Sequence, residues 1–227
     1  NGVEYRLSPE RSVATAYIDN VRGDNLPTEL YIPRKVKYQD VKYKVTDFCW
    51  NGPEDPYAPR RYLDWEIGSE SPLNDDDVWR QNVVIPDKSR SYHACLKKIT
   101  FAKGVKVHGQ AYDFEELRRV VFEDPNDLGQ ALYYNCPKLK RLHLPEKFKY
   151  RYNYDIKNCP SLKLTIDKKN KHLKMVGNDI VSKYKALMNV HPKKKYYKVP
   201  KGIRGIDTAA FWGDTTIEKV HTGKNPI

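Results

Sequence analysis

Basic side chains recur along this sequence at a nearly constant interval. Three pairs of adjacent cations are twenty-one and then twenty-two residues apart, and single basic residues stand at related places: Lys97–Lys98, Arg118–Arg119, Lys140–Arg141, His143 and Lys219. Lysine and arginine form charge-assisted hydrogen bonds with carboxylate and phosphate groups, and arginine does so in a bidentate geometry. The pattern therefore predicts an anion-binding surface, provided that the fold places the repeated cations side by side.

Familiar catalytic and cofactor-binding motifs do not occur in the sequence. It contains no G-x-S-x-G, H-E-x-x-H, P-loop or G-x-G-x-x-G motif. No C-x-x-C pair is present, so a structural zinc site is not expected. His93 stands two residues before Cys95, but a nucleophilic pair needs spatial contact, and we expect His93 to be exposed. We predict no catalytic residue, no metal and no cofactor, although missing motifs alone are weaker evidence against an enzyme than the repeat described below.

The composition allows a folded chain with a thin core. Its 227 residues are 39% apolar and 31% charged, with 17 tyrosines and a formal net charge of +12. Tyrosine suits half-buried sheet surfaces, and excess positive charge attracts anionic partners. No stretch of 18 apolar residues occurs, so we expect no insertion into a membrane. Because residue 1 is asparagine, we expect upstream sequence, such as an export signal or lipoprotein anchor, that is not visible here.

A six-residue pattern, L-x-x-L-x-L, accounts for the spacing of the cations. Five copies carry aliphatic or aromatic residues at most of the first, fourth and sixth places: Leu96 (LKKITF), Leu117 (LRRVVF), Leu139 (LKRLHL), Leu162 (LKLTID) and Ile217 (IEKVHT). Intervals of this length are typical of leucine-rich repeats, in which each copy forms one coil of a solenoid. Because a single coil cannot bury its apolar face, neighbouring coils must stack.

The alternation within each copy predicts which side chains face inward. The fourth and sixth positions alternate with polar residues, as in a half-buried strand, and adjacent strands lie about 4.8 Å apart. The third and fifth positions then point outward. The third position holds Lys98, Arg119, Arg141 and Lys219, the fifth holds Thr100, Val121, His143 and His221, and the second adds Lys97, Arg118 and Lys140.

Such a stack of like charges admits two interpretations. Cations directly opposite each other on neighbouring strands are destabilising, which favours a surface that meets an anionic ligand. Alternatively, the residues form a solvated strand face with acids from flanking loops nearby. Two further basic runs, Lys168–Lys174 and Lys193–Lys201, are weaker candidates. Tyr196 and Tyr197 in the second run would suit single-stranded nucleic acid, but packed rings beside solvated lysines are the favoured interpretation.

The four cysteines are Cys49, Cys95, Cys136 and Cys159. Cys136 and Cys159 each precede the first leucine of a copy by three residues, whereas Cys95 is out of that phase. Side chains at one phase stack inside a solenoid, where cysteine behaves as a small apolar residue. We therefore interpret Cys136 and Cys159 as buried free thiols, with a disulfide as the alternative.

The segment Val199–Val220 (VPKGIRGIDTAAFWGDTTIEKV) resembles the BspA-like leucine-rich repeat of bacterial surface proteins. That family repeats the pattern IP-x-x-V-x-x-I-x-x-x-A-F-x-x-C-x-x-L-x-x-I. The corresponding residues are Val199, Pro200, Ile203, Ile206, Ala210, Phe211, Ile217 and Val220. Partial copies include Leu144–Pro145, Ile85–Pro86 and Ile32–Pro33.

The sequence departs from that family pattern at three places. Asp214 stands where the last copy should have cysteine, and Ala131–Leu132 replaces the A-F pair in one central copy. After Leu162 the register slips by one residue, because Leu164 and Ile166 are the apolar positions, and we expect a bulge or a strand end there.

The resemblance implies a β-rich α/β solenoid, a right-handed leucine-rich-repeat coil with short helical or irregular backs. A single domain would cover residues 1–227. Within it we expect an N-terminal β cap over residues 1–50, an irregular insertion over 51–81 and the repeats over 82–227, interrupted by a β-hairpin near 172–192.

The insertion at residues 51–81 breaks the repeat and is rich in aromatic residues. We consider two roles for Tyr57, Tyr62, Trp65 and Trp79: a possible interaction loop, since such residues dominate interface energies, or a cap folded back over the side of the solenoid. Asp75–Asp77 lacks the D-x-D-x-D-G spacing of a calcium loop, so calcium is not expected.

The function implied by the resemblance is non-enzymatic adhesion at the cell surface or outside the cell. The expected partners are a host or matrix protein, or an anionic glycan, bound through the solenoid face by a monomer. Two alternatives stay open: a carbohydrate- or peptide-active enzyme on a repeat scaffold, and a basic protein that binds nucleic acid.

Overall fold

Strands dominate the architecture, as the sequence predicts. A computed structural model describes residues 3–8, 10–18, 25–50, 91–128, 132–149, 156–190, 195–208, 210–211, 214–225 and 227. The first strands are β1 (Glu4–Ser8), β2 (Val13–Tyr17), β3 (Glu29–Ile32), β4 (Lys35–Tyr38) and β5 (Val41–Cys49). The helical elements in these ranges are helix α1 (Tyr92–Cys95) and a 3-10 turn (Pro125–Leu128).

The remaining strands follow helix α1 in short steps. They are β6 (Lys98–Phe101), β7 (Lys106–His108), β8 (Gln110–Tyr112), β9 (Arg119–Phe122), β10 (Leu132–Tyr134), β11 (Arg141–Leu144), β12 (Ile156–Lys157) and β13 (Lys163–Ile166). The C-terminal set is β14 (Leu173–Val176), β15 (Asp179–Ser182), β16 (Ala186–Asn189), β17 (Tyr196–Lys198), β18 (Gly205–Ile206) and β19 (Lys219–His221).

The N-terminal strands form a sheet in the order β1-β2-β5-β4, and β7 also pairs with β5. Strands β1 and β2 are antiparallel, as are β4 and β5, whereas β5 runs parallel to β2 and β7. Across the last pairing, His108 Nε2 lies 2.7 Å from Oδ1 of the buried Asp47. The sheet of β1, β2, β5 and β4, called here the N-terminal unit, is therefore joined directly to β7, the strand that follows the first repeat copy.

Five strands form a parallel sheet, called here the repeat sheet, in the order β13-β11-β9-β6-β3. Leu96, Leu117 and Leu139, which precede its strands, are 0% exposed and belong to one hydrophobic cluster. The fourth-position residues Ile99 and Leu142 are also buried in that cluster. These positions face a shared interior, as predicted. Strand β3 pairs with β6 and extends the sheet beyond the first complete copy.

The copy at Leu162 shows the predicted slip, and of the two expected irregularities, a bulge or a strand end, it has a strand end without a bulge. Strand β13 begins one residue after Leu162, whereas β11 begins two residues after Leu139. Leu164 is consequently buried, although it is the third residue of its copy. Strands β11 and β13 nevertheless pair in continuous register, from Arg141 opposite Lys163 onward. One residue is missing before the strand, and the pairing itself is regular.

A second parallel sheet, β12-β10-β8, alternates along the chain with the repeat sheet. Tyr133 on β10 is 0% exposed, and its ring centroid lies 6.2 Å from that of Trp50. The Trp50 ring also makes edge contacts with Phe48 and Phe114, at centroid distances of 5.2 Å and 5.1 Å. Aromatic rings therefore link the N-terminal unit to the interior of the first copies of the repeat.

A row of polar side chains, the asparagine row, joins successive copies of the repeat at the turns after β8, β10 and β12. Asn135 Nδ2 donates to Asp113 Oδ1 at 2.6 Å, and Asn158 Nδ2 donates to Asn135 Oδ1 at 2.8 Å. All three residues have left-handed backbones, with φ of 58° at Asp113 and 52° at both asparagines. Aspartate and asparagine tolerate this conformation better than other residues with a side chain.

After β13 the strands no longer alternate between the two parallel sheets. Strands β14, β15 and β16 form an antiparallel meander, β16 pairs in parallel with β18, and β17 pairs in parallel with β19. Leu173 and Ile180 still belong to the first hydrophobic cluster, whereas Val181, Leu187 and Tyr197 belong to a second one. In the last copy Ile217 is only partly buried, and Val220 is 41% exposed. Val220 lies opposite the buried Tyr197 and so shares its face, but it is not enclosed as the fourth position of the other copies is, because β19 pairs only with β17 within the described chain.

Candidate anion-binding face

The repeat sheet brings the predicted cations into register. Lys98 lies opposite Arg119, Arg119 lies opposite Arg141, and Arg141 lies opposite Lys163. Neighbouring parallel strands are about 4.8 Å apart. The four residues therefore form a row of positive charge that crosses four strands.

The preceding position adds a second row of cations. The Arg118 amide donates to the carbonyl of Lys97 at 2.9 Å, and the Lys140 amide donates to the carbonyl of Arg118 at 3.1 Å. These backbone bonds keep the second row aligned with the first. We call the two rows together the basic ladder; its members are Lys97, Lys98, Arg118, Arg119, Lys140, Arg141 and Lys163.

The alternation of the strands turns the basic ladder outward. Ile99, Val120 and Leu142 each follow a ladder residue and are at most 9% exposed. Because successive side chains of a strand point to opposite faces, the ladder residue before each of them faces solvent. Arg119 and Arg141 are accordingly exposed, and Lys98 is half-buried.

Among the described residues, acidic partners are found at Lys98 and Arg118 of the ladder. Lys98 Nζ lies 3.0 Å from Glu29 Oε2, across the pairing of β3 and β6. Arg118 Nη2 lies 3.4 Å from Glu116 Oε2, and Lys138 also bonds to Glu116. The hydrogen bond from Lys138 and the neighbouring Arg118 hold the pKa of Glu116 below its usual value.

Arg119 and Arg141 are not neutralised in this way. Within the part of the chain that the structure describes, neither forms an ion pair, and each lies between cations of the adjacent strands. Flanking acids therefore balance the charges of Lys98 and Arg118 but not those of Arg119 and Arg141, where like charges face each other at a cost in stability.

Other residues of the predicted site lie in different surroundings. His143 is exposed on β11, with Nδ1 2.9 Å from Thr165 Oγ1. Lys219 is on β19, outside the repeat sheet, and its ammonium group lies 5.9 Å from the centroid of the Tyr196 ring. The structure thus keeps His143 beside the ladder and separates Lys219 from it. The candidate interaction loop, Tyr57, Tyr62, Trp65 and Trp79, falls outside the described residues.

Sequence reasoning missed two residues of this face. Lys163 lies in the row of Lys98, Arg119 and Arg141 because of the one-residue slip. The sequence shows that slip, but the prediction of the exposed positions did not apply it to this copy. Glu29 ends the row because β3 joins the repeat sheet, a pairing that the partial match at Ile32–Pro33 suggested.

The basic run at Lys193–Lys201 contains one buried and one exposed tyrosine. Tyr197 is packed, 8% exposed, and its hydroxyl donates to Asp179 Oδ2 at 2.6 Å. Tyr196 is 58% exposed, so the expectation of packed rings is confirmed for Tyr197 and wrong for Tyr196. The two tyrosines point to opposite faces of β17, as alternation along a strand requires. Lys193 and Lys194 lie outside the described residues.

His93 does not have the exposure expected from the sequence. It is 8% exposed, and its ring stacks on Phe114 with a centroid distance of 4.5 Å. The physical reason is the repeat phase, since His93 precedes Leu96 by three residues, just as Phe114 precedes Leu117. Among the described residues, no group of three or more His, Cys, Asp or Glu side chains is arranged to hold a metal ion.

Cys136 and Cys159 occupy the same phase and are buried, as predicted, at 0% and 2% exposure. Both are free thiols. Cys136 Sγ donates to the carbonyl of Ala111 at 3.4 Å, and Cys159 Sγ donates to the carbonyl of Lys157 at 3.3 Å. The hydrogen bond with Cys159 and burial raise the pKa of Cys136, so this thiol is protonated and unreactive as a nucleophile at neutral pH.

Parallel strands that recur with buried leucines every 21 to 23 residues define a leucine-rich-repeat protein. The sequence model described as "BspA type Leucine rich repeat region" matches six copies, over residues 81–188 and 108–226. The chain belongs to this BspA-type leucine-rich repeat family, which confirms the resemblance seen in the sequence.

Three solved structures are similar to the chain, each over 97% of its length. They are the pneumococcal vaccine antigen PcpA (15% identity, TM-score 0.45), a leucine rich cell surface protein from Faecalibacterium prausnitzii (11%, 0.33) and a leucine-rich repeat protein from Eubacterium ventriosum (12%, 0.41). The match covers 62%, 75% and 57% of those chains, respectively, so this chain spans less than two thirds of PcpA. No curated protein matches the chain significantly.

No helix in the described ranges has both the length and the apolar character needed to cross a membrane.

Proposed function

We propose that this chain is a non-enzymatic binding module of a bacterial surface or secreted protein, built as a solenoid of stacked leucine-rich repeats. Its basic ladder binds an anionic ligand, which is a host or matrix protein with an acidic surface or an anionic glycan. The observation that carries this proposal is the row of aligned cations at Lys98, Arg119, Arg141 and Lys163, whose central members have no acidic partner in the described chain.

The alternation of two parallel sheets supports the solenoid. Along the chain, strands β6, β9, β11 and β13 belong to the repeat sheet, whereas β8, β10 and β12, each between two of them, belong to the second sheet. A chain that returns to the same sheet after each copy makes one coil per copy. The free thiols and the asparagine row, which recur at constant phase, fit the same arrangement.

The side chains of the ladder favour carboxylate-bearing or otherwise anionic ligands over single-stranded nucleic acid. Three ladder members are arginines, which suit bidentate contacts with planar carboxylates. The adjacent outward positions hold Tyr31, Thr100, Val121, His143 and Thr165. The rings of Tyr31 and His143 are separated by β6 and β9, whose outward residues are Thr100 and Val121, so they do not form a continuous surface on which successive bases can stack.

Charge reversal at the centre of the ladder tests the proposal. The variant Arg119→Glu/Arg141→Glu is compared with Lys201→Glu/Lys224→Glu, which makes the same change in net charge at exposed turns of the C-terminal region. Both are measured by biolayer interferometry against matrix proteins and anionic glycans at low and physiological salt.

We expect the ladder variant to lose at least about 10-fold in affinity for the bound ligand, because each lost charge-assisted contact contributes on the order of 1.5–3 kcal/mol. Salt should weaken the unmodified chain more than the ladder variant. Undiminished and salt-insensitive binding by the ladder variant contradicts the proposal, as does an equal loss in the control.

A further inference from the structure

A second cluster of cations lies on the N-terminal unit, on the antiparallel hairpin of β4 and β5. Lys35 is paired with Lys44, and Lys37 is paired with Lys42, so two lysine pairs face each other directly across the strands. All four side chains are exposed and share one face of the hairpin. We call this group the lysine hairpin.

The spacing of the lysine hairpin follows from strand geometry. Directly opposed side chains start about 5 Å apart, and residues two positions apart along a strand are separated by about 7 Å. Lys37 Nζ lies 2.6 Å from Asp40 Oδ1, an aspartate whose side chain is 94% exposed. Within the described residues, Lys35, Lys42 and Lys44 have no acidic partner. Four positive charges therefore occupy a small area with one acidic group beside them.

Protection of a sheet edge does not account for this arrangement. Strand β4 is the edge strand of its sheet, and lysines on an edge discourage pairing with other chains. This reason applies to Lys35 and Lys37. It can extend to Lys42, because the pairing of β5 with β2 begins at Lys44, but it does not apply to Lys44, which has β4 on one side and β2 on the other. Placing a cation there adds like-charge repulsion without protecting an edge.

The hairpin is held in a fixed orientation. Tyr43, on the face opposite the lysines, is 5% exposed and belongs to the core, and Val36 packs against that core. The two strands are joined by Gln39 and Asp40, with φ of 45° and 63°. A two-residue turn with positive φ at both positions is usually Asn-Gly, so this turn keeps the hairpin tight at some cost in backbone strain. The lysines are therefore presented outward on a rigid support.

We propose that the lysine hairpin is an anion-binding site for the sulfate groups of a linear sulfated polysaccharide. It is composed of lysine alone, and an ammonium group acts as a compact point charge without the planar fork that matches a carboxylate. Closely spaced charges of this kind fit tetrahedral oxyanions that follow each other along a polymer. The site goes beyond the proposed function, because it lies on a different sheet from the basic ladder.

Nucleic acid fits the lysine hairpin less well. The large exposed ring of this hairpin is Tyr38, which is 55% exposed and paired with Val41. Both alternate with the lysines along their strands and therefore lie on the opposite face. A single strand bound to the lysines would have no ring there on which to stack its bases.

Binding of a size-defined heparin oligosaccharide, followed by isothermal titration calorimetry over a range of salt, tests this site. The variant Lys42→Gln/Lys44→Gln is compared with Lys42→Arg/Lys44→Arg, which keeps the charge, and with Lys201→Gln/Lys224→Gln, which removes two charges elsewhere. We expect the first to lower affinity at least about 10-fold at low salt, and the other two to bind nearly as the unmodified chain does.

The salt dependence gives an independent readout. Each lost contact with a linear polyanion lowers the slope of log K against log salt by about 0.7–0.9. The glutamine variant should therefore lose about 1.5 from that slope. Unchanged affinity and slope in this variant overturn the proposal, and so does equal affinity of the unmodified chain for desulfated heparin or for a DNA duplex of similar length.

One further variant separates this inference from the proposed function. Arg119→Gln/Arg141→Gln alters the basic ladder and leaves the lysine hairpin intact. If this variant binds heparin normally while the hairpin variant does not, the inference stands whether or not the ladder binds a ligand. If heparin binding is lost only in the ladder variant, the inference fails and the proposed function stands.

Discussion

The central copies of the repeat and its last copy, called here the central coils and the last coil, share one sequence pattern but bury it differently. In the central coils the first and fourth residues are enclosed: Leu139 is 0% exposed and Leu142 is 3% exposed. In the last coil Ile217 is only partly buried and Val220 is 41% exposed. The difference follows from pairing, since β11 lies between β9 and β13, whereas β19 has β17 on one side only within the described chain.

The position three residues before each leading leucine shows the same contrast. In the central coils it holds buried cysteine, at Cys136 and Cys159. In the last coil it holds the partly buried Asp214, which accepts hydrogen bonds from the amides of Thr216 at 2.7 Å and Ile217 at 2.9 Å. A carboxylate is tolerated where the coil is less enclosed and backbone donors face it. The pattern of a copy therefore fixes which side faces the core, and its neighbours determine how deeply that side is buried.

Truncation of equivalent apolar residues in the two regions should give the largest effect. Leu142→Ala removes a buried side chain at the fourth position of its copy, the position of Val220, and should lower the free energy of unfolding by about 2–5 kcal/mol. Val220→Ala removes a partly solvated one and should cost less than about 1 kcal/mol. Chemical denaturation followed by tyrosine and tryptophan fluorescence measures both. Equal losses at the two positions would show that the last coil is as enclosed as the central ones.

The asparagine row gives a second, smaller effect that is specific to the central coils. Asn135→Ala removes hydrogen bonds to Asp113 and from Asn158, and it places alanine in the left-handed region. We expect a loss of about 2–3 kcal/mol in the free energy of unfolding, from about 1 kcal/mol for each hydrogen bond and about 1 kcal/mol for the backbone.

Two controls separate the contributions at Asn135. Asn135→Gly relieves the backbone and should lose about 1 kcal/mol less than alanine. Asn158→Ala breaks only the bond to Asn135 within the row and should be milder than Asn135→Ala. If alanine and glycine at Asn135 lower the free energy of unfolding equally, backbone strain does not contribute to the loss.

The sequence predicts the repeats and the inward positions because apolar spacing is a local signal that each coil repeats. Lys98, Arg119 and Arg141 could be placed in one row from that spacing alone. Lys163 could not be placed without applying the slip at Leu162 to the exposed face. The burial of His93 was also available in principle, since it has the phase of Cys136, but its residue type suggested exposure.

Other features depend on contacts between distant segments. The entry of β3 into the repeat sheet brings Glu29 to Lys98, sixty-nine residues away in sequence. The opposition of Lys35 to Lys44 depends on the two-residue turn at Gln39 and Asp40, whose residue types are not those usually found in such turns. Sequence spacing does not reveal such pairings until the register of both strands is known.

The central claim is that the cations of successive coils face each other. Its most direct test is the coupling free energy between Arg119 and Arg141, which is also the smallest effect that we expect. A double-mutant cycle combines Arg119→Gln and Arg141→Gln, and denaturation at low and high salt measures the coupling free energy. We predict a repulsive coupling of about 0.2–1 kcal/mol at low salt that shrinks as salt screens the charges. Strictly additive effects at low salt would contradict the basic ladder.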